Sequence, residues 1–122
     1  VVSPQFWVAA ALLGGCGALA RFIGDRAISK RVRSLLPLGT GVVNLSGAFA
    51  LGLVDGIAPN RTVLLLVGTA LLGAYTTYST WMFESQRLVE DGRFLAVTAN
   101  LLLAAVAGLG CFFAGQAIGR VA

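Results

Sequence analysis

Residues 71–85, LLGAYTTYSTWMFES, crowd Thr76, Thr77, Ser79 and Thr80 into five positions, with Tyr75, Tyr78 and Trp81 interleaved. Asn44, with Ser46 close by in VVNLSGA, and Asn100 lie in other apolar stretches. None of these side chains is charged. Hydroxyls and amides donate hydrogen bonds, and aromatic edges carry partial positive charge. Such a set can replace the hydration of a small anion without the deep trap that a lysine would create. Each residue alone has a plainer reading. An intramembrane Asn makes an interhelical hydrogen bond of about 0.6–2 kcal/mol, Thr and Ser bond to the preceding turn, and Tyr and Trp sit at the membrane interface. Four hydroxyls in five residues exceed what packing requires.

Other chemistries lack their residues. There is no histidine, and Cys16 and Cys111 both sit in apolar stretches, where cysteine packs as a small hydrophobe. No catalytic constellation or nucleotide motif is present, so the chain does not read as an enzyme. Glu84, Glu90 and Asp91 fall at or beyond the end of an apolar block, as solvated loop charges. The cores of the first, second and fourth blocks hold no carboxylate. A proton-coupled exporter of cationic drugs needs one. That counts against the rival reading of a small multidrug-type four-helix transporter.

The elements that carry these residues follow from hydropathy. The chain has 122 residues, 57% hydrophobic and 11% charged. A soluble domain carries about 25% charged residues, so this composition belongs to a membrane protein with one domain, residues 1–122. Charges divide it into four blocks, about Phe6–Ile23, Leu36–Ile57, Thr62–Phe83 and Phe94–Ile118. Each is long enough to cross a ~30 Å hydrocarbon core as a helix. The first block has no basic leader and is followed by basic residues, the reverse of a secretory signal. The chain begins at Val1 rather than at methionine, so it need not start where the natural protein does.

Within the third block, Tyr75, Tyr78 and Trp81 form one slanting stripe and Thr77, Thr80 and Glu84 another. β-Branched threonines beside Gly73 let this helix break, which is tolerated at membrane depth where backbone lines water or binds ions. Glycine and small-residue pairs, such as Gly14 and Ala18, permit close helix contact. Four short helices enclose little volume, so a solute pathway calls for a second subunit.

Placing both termini and the second loop on one side leaves only Arg61 and Arg120 there. The opposite side holds Arg21, Arg26, Lys30, Arg31, Arg33, Arg87 and Arg93. The positive-inside rule then puts both termini outside the cytoplasm, in the cell membrane. The net charge of +4 therefore reads as a topology signal rather than as a nucleic-acid surface. The segment RFIGDRAISKRVRS also has the makings of an amphipathic surface helix near lipid headgroups.

Three ordered motifs carry a resemblance covering nearly the whole chain: GGCGALARF with Arg21, PLGTGVVNLSGAFALG with Asn44, and GAYTTYSTWMFE. Together they resemble the CrcB/Fluc fluoride channels. The resemblance implies an all-α membrane protein of four transmembrane helices, the third broken near its middle, assembled as an antiparallel dimer. It implies passive export of fluoride and a structural sodium ion at the dimer interface, held by the carbonyls of Gly73 and Thr76. By motif position it places Asn44, Tyr78, Ser79, Thr80, Trp81 and Asn100 along the fluoride path. Arg21 and Glu84 become structural residues, with Glu84 paired to an arginine.

Departures from the family pattern are Tyr78 and Trp81 at phenylalanine positions, Asn100 for a tyrosine and Ala104 for a serine. Most of the family shows little charge asymmetry. The bias here suits a heterodimer with a homologous, oppositely inserted subunit better than a homodimer. The chain as a non-conducting structural member of such a pair stays open.

Overall fold

The computed structural model describes residues 3–32 and 38–122. Among them, four helices are long and apolar enough to cross a membrane: Pro4–Arg31, Leu38–Ile57, Arg61–Glu90 and Phe94–Val121. The charge at Arg33 and the expected start of the second span at Leu36 lie outside the described residues. The chain is thus a four-span, all-helical membrane protein.

Helix α1, Pro4–Arg31, starts with Ser3 accepting the Phe6 N–H at 3.2 Å and Pro4 in the first turn. Lys30 and Arg31 occupy its last turn, where cations suit the helix dipole. Its 28 residues span about 42 Å, more than a ~30 Å hydrocarbon core. The stretch from Gly24, expected as a loop or a separate surface helix, is therefore a continuation of α1. It is packed rather than free. A Cβ at Gly39 of α2 (Leu38–Ile57) would collide with Asp25 and sit 2.6 Å from the Ser29 hydroxyl.

The third span is the irregular one. Asn60 caps α3 (Arg61–Val63) by accepting the Val63 N–H at 3.0 Å. A π-helix, Leu64–Leu72, follows, then α4 (Gly73–Tyr75), a break, and α5 (Ser79–Glu90). Nine residues of π-helix far exceed the usual single-turn bulge, and π geometry often marks functional sites. Helix α5 runs seven residues past the expected end at Phe83. Ser85 and Leu88 turn inward and are buried, and α5 packs on α6, while Gln86, Arg87 and Glu90 face outward. Gly92 at φ 71° and the Arg93 N–H on the Leu88 carbonyl, 2.9 Å, close this helix before α6 (Phe94–Val121).

Helices α2 and α6 form the most extensive contact, and the reason is a pair of glycine ladders. Gly52 and Gly56 of α2 meet Gly115 and Gly119 of α6. A Cβ at Gly56 would lie 2.7 Å from the Gln116 carbonyl oxygen, and one at Gly119 2.6 Å from that of Leu53. Helix α1 lies against the π-helix, α2 and α4, with buried Gly17 against the Leu71 backbone. The tight small-residue contact of α1 is thus Gly17. Gly14, expected in that role, has its nearest neighbour, the Ala70 carbonyl, at 3.8 Å from an added Cβ. Cys16 is exposed rather than packed inside.

Polar side chains are buried inside and large apolar ones lie outside. Thr40, Thr77, Ser85 and Asn100 are buried alongside Val43, Leu88 and Ala96, while Leu12, Leu19, Leu95, Leu103, Val106 and Phe113 are exposed. A lipid-facing surface reverses the soluble pattern in this way. The single chain exposes 7820 Å², whereas a compact soluble protein of its mass exposes about 6,200 Å². That excess leaves broad apolar surface for lipid or another subunit to cover.

Candidate pore at the helix break

The break begins where Thr76 turns to extended backbone, φ −81° and ψ 162°. Up to that point the helix is intact, with the Thr76 N–H and Oγ1–H both on the Leu72 carbonyl at 2.9 and 3.1 Å. The next N–H, that of Thr77, would bond to the Gly73 carbonyl in an unbroken helix. It goes instead to Oδ1 of Asn44 at 2.8 Å, while Asn44 Nδ2 donates to the Thr77 carbonyl, also at 2.8 Å. One amide on α2 thereby satisfies both polar groups of one buried backbone residue. That is what makes an open helix affordable inside a bundle.

Thr77 also restarts the helix. Its Oγ1 accepts the Thr80 N–H at 3.2 Å, the role of a capping threonine, and its hydroxyl reaches Thr80 Oγ1 at 3.1 Å. The Thr80 N–H would otherwise bond to the Thr76 carbonyl. These contacts divert the regular helical donors of the Gly73 and Thr76 carbonyls, the pair expected to face a cation, and the break leaves the Ala74 and Tyr75 carbonyls without theirs as well.

The expected aromatic stripe does not run unbroken, because the break rotates α5 relative to α4. Tyr75 stays with α2, its hydroxyl 2.9 Å from that of Ser46. Tyr78 and Trp81 make their own edge-to-face pair, with centroids 5.8 Å apart and planes at 74°. Tyr78 is 70% exposed, so most of its ring is free for another surface.

Four cavities surround the break. The first, about 340 Å³, gathers Asn44, Gly73, Thr76, Tyr78 and Trp81 against Gly47 and Gly68. A second, about 210 Å³, lies toward the end of α1 that carries Arg21, and is lined by Arg21, Asp25, Thr40, Thr77 and Thr80. A third, about 190 Å³ and mostly apolar, holds Asn44, Trp81, Asn100 and Ala104 between α2, α5 and α6. The fourth opens outward and takes Tyr78 and Ser79. The candidate residues therefore surround one break but do not share one chamber. Ser79 stands on the outer side and Thr80 on the α1 side.

Glu84 is partly buried, and among the described residues neither its Oε1 nor the buried Thr40 Oγ1 has a hydrogen-bond partner. No arginine among the described residues meets that Glu84 oxygen; Arg33 lies outside them. Asp25, Thr40 and Ser85 join the neighbourhood without having been singled out for it, and Thr77, noted for its hydroxyl, takes a further part. Thr77 acts through its backbone and cap, which composition cannot show, and Thr40 and Asp25 enter only through the packing of α1 on α2.

Residues 8–116 match the family described as CrcB-like protein, Camphor Resistance (CrcB). The chain is 48% identical to "Fluoride-specific ion channel FluC 2" of Mycolicibacterium paratuberculosis over 94% of both chains. It is 42% identical to the "FluC 2" protein of Mycobacterium tuberculosis over 98% of this chain and 95% of that one. It is 39% identical to "Fluoride-specific ion channel FluC 1" of Nocardia farcinica over 91% of this chain and 79% of that one. With four spans, a broken third helix and this match along nearly its whole length, the chain belongs to the CrcB-like family.

Proposed function

We propose that the chain is a subunit of a passive, fluoride-selective channel that lets cytoplasmic fluoride leave the cell. The observation that carries this reading is the Asn44–Thr77 clamp, which opens the third helix at membrane depth and concentrates neutral hydrogen-bond donors there. Asn44 uses one N–H of its amide on Thr77 and keeps a second. The hydroxyls of Ser79 and Thr80 and the edges of Tyr78 and Trp81 complete a set of weak donors that can pass an anion along. An inside-negative potential drives anion exit by ~2.3 kcal/mol per charge per 100 mV, so no energy-coupling site is required. The names of the relatives support fluoride as the ion.

The carbonyls of Gly73 and Thr76 fit a hard cation such as sodium. Their helical donors are diverted, and they sit at the C-terminal, partially negative end of a half-helix. A bound sodium ion would supply fixed positive charge and hold the break open. Thr77 and Asn44 keep the two carbonyls free of competing donors.

In this reading the working unit is an antiparallel dimer, favoured as a heterodimer with a homologue of opposite charge bias, with both termini of this chain outside the cytoplasm. Relatives numbered 1 and 2 are in keeping with paired subunits. One observation favours a second reading, a non-conducting member of the pair. One N–H of the Asn100 amide is taken by Ser85, and Ala104 offers no hydroxyl. Co-reconstitution with such a homologue, followed by fluoride efflux measurements with and without Asn44, separates the two. Flux that survives Asn44→Ala in an intact dimer assigns conduction to the partner alone.

A further inference from the structure

Trp81, Ser85 and Asn100 close a ring of hydrogen bonds across α5 and α6. The Trp81 Nε1–H donates to the Asn100 main-chain carbonyl at 3.3 Å, Asn100 Nδ2 donates to Ser85 Oγ at 2.8 Å, and the Ser85 hydroxyl donates to the Trp81 main-chain carbonyl at 2.8 Å. Ser85 is 3% exposed and Asn100 9%, so the ring is shielded from competing solvent. A hydrogen-bonded buried network of this kind fixes its members in one geometry.

The ring ties together three positions that composition alone leaves unconnected. Tryptophan at 81 brings an indole N–H that must be satisfied, and asparagine at 100 brings an amide that must be satisfied. Ser85, one turn after Trp81, closes the circuit through its hydroxyl, which accepts from one and donates to the other.

We propose that Ser85 is a positioning residue for the ion pathway. Resting on the channel reading above, its hydroxyl ties α5 to α6 through the Trp81 main chain and the Asn100 side chain, which keeps the indole within reach of the Asn100 main-chain carbonyl, so that the ring presents carbon edges to the pathway and withholds its N–H. One of the two Asn100 amide N–H groups is held by the same tie. Trp81 borders both the 340 Å³ cavity at the break and the 190 Å³ cavity beside Asn100. Its orientation therefore sets the wall between them. Holding these two N–H groups aside leaves Asn44, Ser79 and Thr80 as the donors, fewer for an anion that must leave as readily as it enters. Without Ser85 that Asn100 N–H is released beside the path, and the tie that keeps the indole at the α6 main chain is lost.

The test uses Ser85→Ala, Ser85→Thr, Trp81→Phe and the Ser85→Ala/Trp81→Phe double variant in the full chain, reconstituted with its oppositely oriented homologue. The lock predicts that Ser85→Ala, which removes both hydrogen bonds of the Ser85 hydroxyl, slows fluoride efflux about tenfold. Ser85→Thr, which keeps the hydroxyl, restores most of it. In the Trp81→Phe background Ser85→Ala changes efflux less than about twofold, because coupled residues are not additive.

A second readout does not depend on conduction. Trp7 and Trp81 are the two tryptophans, so a Trp7→Phe background isolates Trp81 fluorescence. There Ser85→Ala raises the quenching of Trp81 by acrylamide, and Ser85→Thr does not. Unchanged quenching on Ser85→Ala overturns the lock, as does an equal loss of efflux with and without the indole. If no pairing conducts fluoride, the channel reading fails, and the quenching result alone still decides the lock.

Discussion

Asn44 and Thr77 lie 33 residues apart and pair as an amide with a peptide, through two hydrogen bonds of 2.8 Å. The pairing replaces the bond that Thr77 would make to Gly73, and it is the reason that a nearly continuous span can open at Thr76 without stranding either backbone group of buried Thr77. Asn44→Ala leaves both groups of a buried residue unsatisfied, at a cost of about 1–3 kcal/mol each. The expected outcome is lower thermal stability in detergent and loss of fluoride flux. Asn44→Asp is the sharper variant. An ionised carboxylate still accepts the Thr77 N–H but has no donor for the Thr77 carbonyl, so it should keep part of the stability and none of the flux.

Thr77→Val removes the hydroxyl that caps α5 and keeps the shape. A lost cap costs about 1 kcal/mol, and the expected result is a modest fall in melting temperature with protein still folded. If the threonine hydroxyl had no capping role, Thr77→Val would melt with the wild type.

The glycine ladders predict a harsher response. At Gly52 and Gly115 an added Cβ would meet the backbone of Phe112 and of Phe49, which cannot rotate away. Gly115→Ala should therefore cost more than the 1–3 kcal/mol typical of overpacking and be recovered largely as aggregate on size-exclusion chromatography. Gly108→Ala, where an added Cβ meets nothing within 4 Å, should behave as wild type.

Much of this architecture was legible in composition and spacing. Four spans follow from long uncharged runs, and the break follows from threonines beside Gly73, although it falls at Thr76–Tyr78, just beyond that glycine. The ends of the elements were less legible. Helix α1 runs on through Asp25 and Arg26 because its polar turns pack on Gly39. Helix α5 runs past Phe83 because Ser85 and Leu88, three residues apart, reach α6. Hydropathy registers neither, since both extensions are amphipathic rather than apolar. The candidate residues could be named from type and motif. Their division among four cavities, and the hydrogen bonds that join Trp81, Ser85 and Asn100, depend on which way a broken helix resumes, and no local pattern encodes that.

A cation dependence follows from the freed carbonyls of Gly73 and Thr76. Replacing sodium by a large organic cation during purification should weaken the dimer and slow fluoride efflux. Thr76→Ser, which keeps the carbonyl and a hydroxyl on Leu72, should leave that dependence intact. Dimer stability and flux indifferent to sodium would remove the cation from the account.

Fluoride conduction through the break is read most directly as anion efflux from liposomes holding this chain together with a homologue of opposite charge bias, the pairing proposed above. Rapid fluoride efflux with chloride retained is expected, abolished by Asn44→Asp in this chain while the dimer persists. A folded, dimeric preparation that releases no fluoride, or releases chloride equally well, would contradict it.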